Sequence, residues 1–81
     1  MNNTVIPDRE LDIRAEICPM TFVRTRLALD GMRPGQVLRV RLKGAEPLAN
    51  VPRTAREQGH EVISLSEDTE GGAVLLLRRG G

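Results

Sequence analysis

The sequence of 81 residues contains one cysteine, one phenylalanine, and no tryptophan or tyrosine. A single cysteine excludes an internal disulfide, so packing alone must stabilise the one small domain that this length allows. The near-absence of aromatic rings argues against a surface on which nucleic-acid bases stack. No apolar run approaches the ~20 residues of a membrane span, and the first residues lack the charged-then-apolar pattern of a signal segment. We therefore expect a cytoplasmic protein.

Charge is nearly balanced, with 12 basic against 11 acidic residues and a formal net charge of +1. Eleven of the basic side chains are arginine, which suits protein interfaces and anion recognition better than lysine does. Arg39, Arg41 and Lys43 alternate with apolar residues, a pattern typical of a solvated sheet face. Balanced charge and missing aromatics argue against direct nucleic-acid binding. An RNA-associated regulator that uses these three cations is the weakest of the hypotheses that the sequence allows.

Hydrophobic periodicity predicts the element order β-α-β-α-β-β with no internal repeat. The predicted strands span 10–14, 37–43, 60–66 and 73–77. The unbroken apolar run of the last strand indicates an interior position in the sheet, and an acidic hairpin loop over 67–72 precedes it. The predicted organisation is a flexible leader over 1–7, a single domain over 8–79 and a flexible tail over 80–81.

Two helices connect these strands. The first begins at Pro19 and extends to Met32. The second spans 51–58, with Asn50 as its cap and Gly59 as its left-handed stop. Right-handed crossovers place both helices on one side of the sheet, so we expect an α/β (α+β) two-layer sandwich whose other face is open. That open face would expose part of the apolar fourth strand as a weak self-association surface.

The Cys18-Pro19 pair lies between the first strand and the first helix. Proline suits the first helical position because its missing N–H would have no partner there. Cys18 then occupies the cap position, where unpaired N–H groups and the helix dipole favour a thiolate and so lower the pKa of the thiol. The alternative is an inert, buried cysteine, since free cysteine is among the most buried residue types.

The carboxyl edge of the parallel strands is where ligand sites of open α/β sheets lie. Arg14 ends the first strand there, and Asn50 and Arg53 begin the second helix. These three residues and Pro19 are predicted to support the Cys18 sulfur. His60 opens the third strand at the opposite edge, so a Cys–His dyad is not expected and His60 is interpreted as a structural or surface residue.

The first helix carries two apolar stripes. The longer one is predicted to cover the sheet and comprises Phe22, Thr25, Leu29 and Met32. The shorter one starts next to the cysteine and comprises Met20, Val23 and Leu27. It faces either a partner protein or the neighbouring helix, and packing on the neighbouring helix is the favoured alternative.

Several cysteine chemistries are excluded by what the sequence lacks. A dithiol oxidoreductase needs a second cysteine, and a zinc site needs about four clustered ligands. No glycine-rich phosphate loop is present, because Arg33-Pro34-Gly35 follows a helix and precedes a strand. We therefore expect no metal and no cofactor. A lone activated thiol can accept a sulfur atom, hold it as a persulfide and pass it on.

These residues resemble the TusA/SirA family of small sulfurtransferases over nearly all of 11–79. The matching pieces, in order, are Leu11-Asp12-x-Arg14, Cys18-Pro19, Pro34-Gly35-x-x-Leu38-x-Val40, Val51-Pro52, Gly59-His60 and the apolar last strand. The resemblance implies a four-stranded mixed sheet and a carrier role for Cys18. It also implies a sulfur donor of the cysteine desulfurase or rhodanese type and a downstream acceptor protein.

The sequence departs from the family pattern at two positions near the cysteine. Cys-Pro-Met-Thr stands where the family usually has Cys-Pro-x-Pro, so Thr21 replaces a proline, and Ala15 stands where glycine is usual. These departures suggest a divergent branch that serves another sulfur pathway.

Two alternatives to the carrier stay open from the sequence. In the first, the fold is a non-enzymatic interaction or regulatory module that docks a partner, and Cys18 is incidental. In the second, Gly80-Gly81 is a C-terminal thiocarboxylate tail of the ubiquitin-like carrier type. The element order is not that of a β-grasp, which favours a simple frayed end over the second alternative.

Overall fold

The computed structural model describes residues 6–17, 20–67 and 71–80. The chain order of the elements is β1(Arg9–Asp12), α1(Met20–Asp30), β2(Val37–Lys43), α2(Ala45–Glu57), β3(Glu61–Glu67) and β4(Gly72–Arg78). This order confirms the predicted β-α-β-α-β-β sequence of elements. Neither described helix has the length and apolar character that a membrane crossing requires.

The four strands form one mixed sheet in the order β1-β2-β4-β3. β1 pairs with β2 in parallel, whereas β4 runs antiparallel to both of its neighbours, β2 and β3. The interior position predicted for the apolar fourth strand is therefore confirmed. Both helices lie on this sheet as an α+β sandwich, which confirms the predicted fold class.

The core lies between the sheet and the helices. Alternate residues of β2, namely Leu38, Val40 and Leu42, are fully buried. Leu75 and Leu77 of β4 join them from the next strand. Alternation of this kind directs one set of side chains to the core and the other to the opposite face. The longer apolar stripe of α1 covers the sheet as predicted. Thr25, Leu29 and Met32 are buried, and Phe22 packs against the core.

The opposite sheet face is lined by ion pairs and a short apolar strip. Arg39 of β2 contacts Glu10 of β1 at 3.2 Å, and Arg78 contacts Glu61 across β4 and β3 at 3.0 Å. Two apolar residues of β4, Val74 and Leu76, are half-buried. Ion pairs flank this strip on both sides. The exposed apolar surface is therefore narrower than we expected from the sequence of the fourth strand.

The start of α2 differs from the sequence prediction. The helix begins at Ala45, not after Asn50, and it follows Gly44, whose φ of 107° is a left-handed backbone conformation. Pro47 lies in the first turn, where its missing N–H has no intrahelical partner. Pro52 therefore lies inside the helix. The sequence predicted a helix that starts at Val51 with Pro52 in its first turn, whereas burial of one helix face keeps the helix continuous through Pro52.

The end of α2 agrees with the prediction. Gly59 has a φ of 89°, as expected for a left-handed stop. Its N–H donates to Arg56 O at 3.0 Å, and His60 N–H donates to Ala55 O at 2.9 Å. These two bonds satisfy carbonyl groups that the last helical turn would otherwise leave unpaired.

Some predictions fall partly or wholly outside the described residues. The acidic loop includes residues 68–70, and the leader includes 1–5, none of which is described. Gly81 of the predicted tail is also outside, whereas Gly80 is half-buried and hydrogen-bonded to His60. β1 is shorter than predicted, but Ile13 just beyond its end is buried in the core.

Candidate functional site

Cys18 and Pro19 lie outside the described residues, so the site is described through the residues that flank them. Ile17 precedes the pair and Met20 is the first residue of α1. Met20 N–H donates to Ile17 O at 2.8 Å. The two residues that flank the Cys-Pro pair are therefore hydrogen-bonded to each other through their backbones.

Exposed apolar side chains flank the Cys18-Pro19 pair in the sequence and continue along α1. Ile17 is 79% exposed. The shorter apolar stripe of α1, from here on called the α1 stripe, comprises Met20, Val23 and Leu27, which are 41%, 42% and 64% exposed. In the described part of the chain, only Ile6 and Leu65 are also large, apolar and exposed. The favoured alternative for the α1 stripe, packing on the neighbouring helix, fits only Val23, which lines a groove with α2, whereas Leu27 lies mostly in solvent. Ile17 was missed by the sequence reading.

A groove separates α1 from α2 beside the α1 stripe. Its volume is about 160 Å³. Phe22 and Leu29 form one wall, and Val51 and Ala55 form the other. Val23 belongs both to this groove and to the α1 stripe, so the two apolar surfaces are continuous.

Arg14 forms three hydrogen bonds with the carboxylate of Asp12. Its Nε donates to Oδ1 at 2.9 Å and its Nη2 to Oδ2 at 2.7 Å, and its backbone N–H also donates to Oδ1 at 3.1 Å. These hydrogen bonds, with a smaller contribution from the charge of Arg41, lower the pKa of Asp12 to about 2. The pair fixes the turn that leads from β1 towards Cys18.

Asn50 and Arg53 contact each other in the middle of α2. Arg53 Nη2 donates to Asn50 Oδ1 at 2.9 Å. Because the helix starts at Ala45, Asn50 lies about 8 Å and Arg53 about 12 Å along its axis from that start. The prediction that Asn50 caps the helix is therefore wrong. Their placement beside the sulfur stays a prediction, because Cys18 is outside the described residues.

A salt bridge that the sequence reading missed joins the loop before Cys18 to α1. Glu16 Oε2 lies 3.2 Å from Arg24 Nε. Glu16 N–H also donates to Ile13 O at 3.1 Å, which closes a turn at the end of β1. No periodic pattern marks this pair, because one residue belongs to a loop and the other to a helix.

Thr21 occupies the position where the family usually has a second proline. The residue is fully buried, and its carbonyl oxygen accepts a hydrogen bond from Thr25 Oγ1 at 2.8 Å. A threonine hydroxyl that bonds the carbonyl four residues earlier is a usual way to bury this side chain in a helix. The start of α1 is thus packed around polar side chains that are hydrogen-bonded.

His60 lies at the other end of α1. It lines a cavity together with Arg26 and Asp30 from the last turns of that helix, whereas Cys18 precedes the first turn. Burial, with the positive charge of Arg79, lowers the pKa of His60 below its ordinary value of 6.5. The absence of a Cys–His dyad stays a prediction. Within the described ranges, no three histidine or carboxylate side chains are grouped closely enough to hold a metal ion.

Solved structures share this fold. The crystal structure of a SirA-like protein from Desulfitobacterium hafniense superposes with a TM-score of 0.77, covering 90% of this chain and 99% of that one at 20% identity. The solution structure of a Helicobacter pylori protein gives a TM-score of 0.68, covering 89% and 97% at 14% identity. The topology and these neighbours define a small α+β protein with a SirA-like fold.

Sequence comparison identifies the family. The family profile described as Sulfurtransferase TusA matches residues 9–79. A proposed sulfur carrier protein of Archaeoglobus fulgidus is 39% identical over 69 residues, covering 85% of this chain and 78% of the relative. The proposed sulfur carrier YedF of Escherichia coli K12 is 31% identical over 64 residues, covering 79% and 83%. The chain belongs to the TusA family of sulfurtransferases, and this membership supports a sulfur-carrier role.

Proposed function

We propose that this protein accepts a sulfane sulfur atom on Cys18 and relays it to an acceptor protein. The Cys18 thiolate attacks the terminal sulfur of a donor persulfide, a new S–S bond forms, and the donor cysteine leaves as a thiolate. In the second step a nucleophile of the acceptor attacks the terminal sulfur and Cys18 leaves as a thiolate. The sulfur moves between thiols at a constant oxidation level, so neither step needs an oxidant or a cofactor.

The observation that carries this proposal is the exposure of Ile17 and Met20 on both sides of the cysteine. A carrier must present its sulfur to two different proteins in turn, and apolar side chains around the sulfur supply surface that a partner can cover. Membership of the TusA family supports the same chemistry.

The donor is proposed to be a cysteine desulfurase or a rhodanese, and the α1 stripe is proposed as the surface on which donor and acceptor dock. A shared surface suits a relay, because each partner must leave before the next can bind. Arg14 and Pro19 are proposed to support the sulfur from the two sides of the turn, with Asn50 and Arg53 as further candidates. We place the relay in the cytoplasm, where reducing conditions keep a lone thiol available.

Direct nucleic-acid binding is not part of this proposal. Of the three cations considered for such a role, Arg39 is paired with Glu10, and Arg41 contributes to holding Asp12 ionised. The positive charge of these cations is therefore partly neutralised by the acidic residues of β1.

Intact-mass measurement tests the carrier. The protein is incubated with a persulfide-loaded desulfurase or rhodanese and separated from it before the measurement. We expect an added mass of one sulfur atom, reversed by a reductant and absent from Cys18→Ser. Failure of both donor types to load the folded wild-type chain would contradict the carrier. An interaction module that docks a partner through the α1 stripe would then be the better account.

A further inference from the structure

The chain that follows β4 crosses the carboxyl ends of both helices. Arg79 Nε donates to Leu29 O in the last turn of α1 at 2.5 Å. The backbone of Arg79 is held independently, because its N–H donates to Gln36 O and its carbonyl accepts from Gly35 N–H, both at 2.9 Å. Arg79 is thus anchored to α1 and to the α1–β2 turn.

Gly80 is held through both of its backbone polar groups, because its carbonyl accepts from Arg79 Nη1 at 2.6 Å. Its N–H donates to His60 Nδ1 at 2.9 Å. Its Cα lies so close to the carbonyl of Gly59 that an added Cβ would overlap that oxygen. His60 and Arg79 together therefore fix Gly80 against the end of α2.

This hydrogen bond requires a neutral imidazole. Nδ1 accepts the hydrogen bond from Gly80 N–H only when it carries no proton itself, so the proton of the neutral ring must be on Nε2. In the imidazolium both ring nitrogens are donors, and Nδ1–H would then face the N–H of Gly80. Protonation thus replaces an attraction by a repulsion between two donors.

The charges around His60 are unequal. Arg79, just after β4, and Arg26 and Asp30 of α1 line the same cavity as His60, and the C-cap residue of α2 contributes the uncharged Gln58. Burial and Arg79 lower the pKa of His60 below 6.5, and Asp30 opposes them. The surroundings therefore favour the neutral ring that the hydrogen bond needs.

We propose that His60 is a pH-dependent latch that holds the N–H of Gly80 against the end of α2 and frees this N–H when Nδ1 binds a proton from solvent. Arg79 keeps its hydrogen bonds in both states, including the one to the carbonyl of Gly80, so the release is confined to the N–H of Gly80. Gly80 lines a cavity of about 410 Å³ together with Arg26, Asp30 and Gln58, so the freed N–H belongs to a residue of the cavity wall. The latch is independent of the sulfur chemistry proposed for Cys18.

NMR spectroscopy tests the latch on the whole chain. His60 is the only histidine in the sequence, so its imidazole signals are unambiguous. We expect the Nε2–H tautomer in the neutral form, and a Gly80 amide shift that follows the titration of His60 with the same midpoint, below 6.5. The exchange protection of the Gly80 amide, relative to that of Arg79, should fall roughly fivefold in the acid form.

His60→Gln is the matched variant, because its side-chain carbonyl can accept the same hydrogen bond but does not titrate. In this variant the relative protection of Gly80 should be independent of pH. The tautomer measurement on the wild-type chain decides the question even if the variant folds poorly. A neutral ring protonated on Nδ1, or a Gly80 amide that ignores the titration of His60, would overturn the latch.

Discussion

The two ends of α1 are built in opposite ways. Where the helix begins, the side chain of Ile17 just before it is 79% exposed and that of Met20 in its first turn is 41% exposed. At its last turn the carbonyl of Leu29 accepts a hydrogen bond from Arg79 Nε, and Gly80, which follows Arg79, donates one to His60. Polar groups at the closed end are satisfied within the chain, whereas the open end exposes apolar surface that nothing in the described chain covers. This contrast favours the open end as the docking surface that we propose for partner proteins.

The largest expected effect is a difference in the free energy of unfolding between substitutions on the two faces of α1. Leu29 is 1% exposed and Leu27 is 64% exposed, although they are two residues apart on one helix. Leu29→Ala should lower the free energy of unfolding by about 2–5 kcal/mol, because it removes buried contacts and leaves a cavity. Leu27→Ala should change it by no more than about 0.5 kcal/mol. Urea denaturation of both variants measures the difference, and equal losses would show that the α1 stripe is part of the core.

The next effect concerns docking at the open end. Replacing Val23 and Leu27 of the α1 stripe by serine should slow sulfur loading from a donor protein about tenfold, as expected when an apolar docking surface loses part of its contacts. Loading from a small-molecule persulfide should stay unchanged, because that donor needs no docking surface. Intact mass against time follows both reactions. A parallel loss with the small donor would place the effect on the sulfur itself and not on docking.

A smaller effect is expected at the closed end on acidification. The folded state lowers the pKa of His60, so the unfolded chain binds a proton first as the pH falls through 6.5. The stabilising contribution of neutral His60 is complete above 6.5 and decreases as the pH falls towards the lower folded pKa. His60→Gln should therefore show a flatter stability profile in this window than the wild type. A wild-type profile with the same slope as the variant would argue that His60 titrates freely.

The smallest effect belongs to the turn before Cys18. The pKa of Asp12 is lowered from 3.8 to about 2, so its ionised form stabilises the fold above 3.8 and this contribution is lost as the pH falls towards 2. The pair with Arg14 is exposed to solvent, which keeps its effect small. Asp12→Asn should reduce the acid dependence of stability only in this window. Denaturation at a series of acidic pH values, with salt to screen the pair, checks the expectation.

Regular patterns explain why most of the fold was predictable. Alternation in β2, the apolar run of β4 and the stop at Gly59 each arise from interactions within a few neighbouring residues. The start of α2 was not predictable in this way. Two prolines in one helix compete as start signals, and only packing of the helix face against the sheet decides between Pro47 and Pro52.

The candidate site was predictable to a smaller extent. The Cys-Pro pair and the α1 stripe are local signals and were found. The Glu16–Arg24 pair and the His60–Gly80 bond were not, because each joins two elements whose distance is set by the whole fold. Exposure of Ile17 was also missed, since an apolar residue after a half-buried strand usually continues the core.

The central claim is that the fold makes the open end of α1 a place where a donor protein delivers sulfur to Cys18. The most direct measurement compares the rate of loading from one persulfide-loaded donor protein for the folded chain and for a peptide spanning residues 13–23, followed by intact mass. The account predicts that the folded chain gains one sulfur roughly ten times faster or more, because only it presents the assembled surface. A peptide that loads as fast as the folded chain would contradict it.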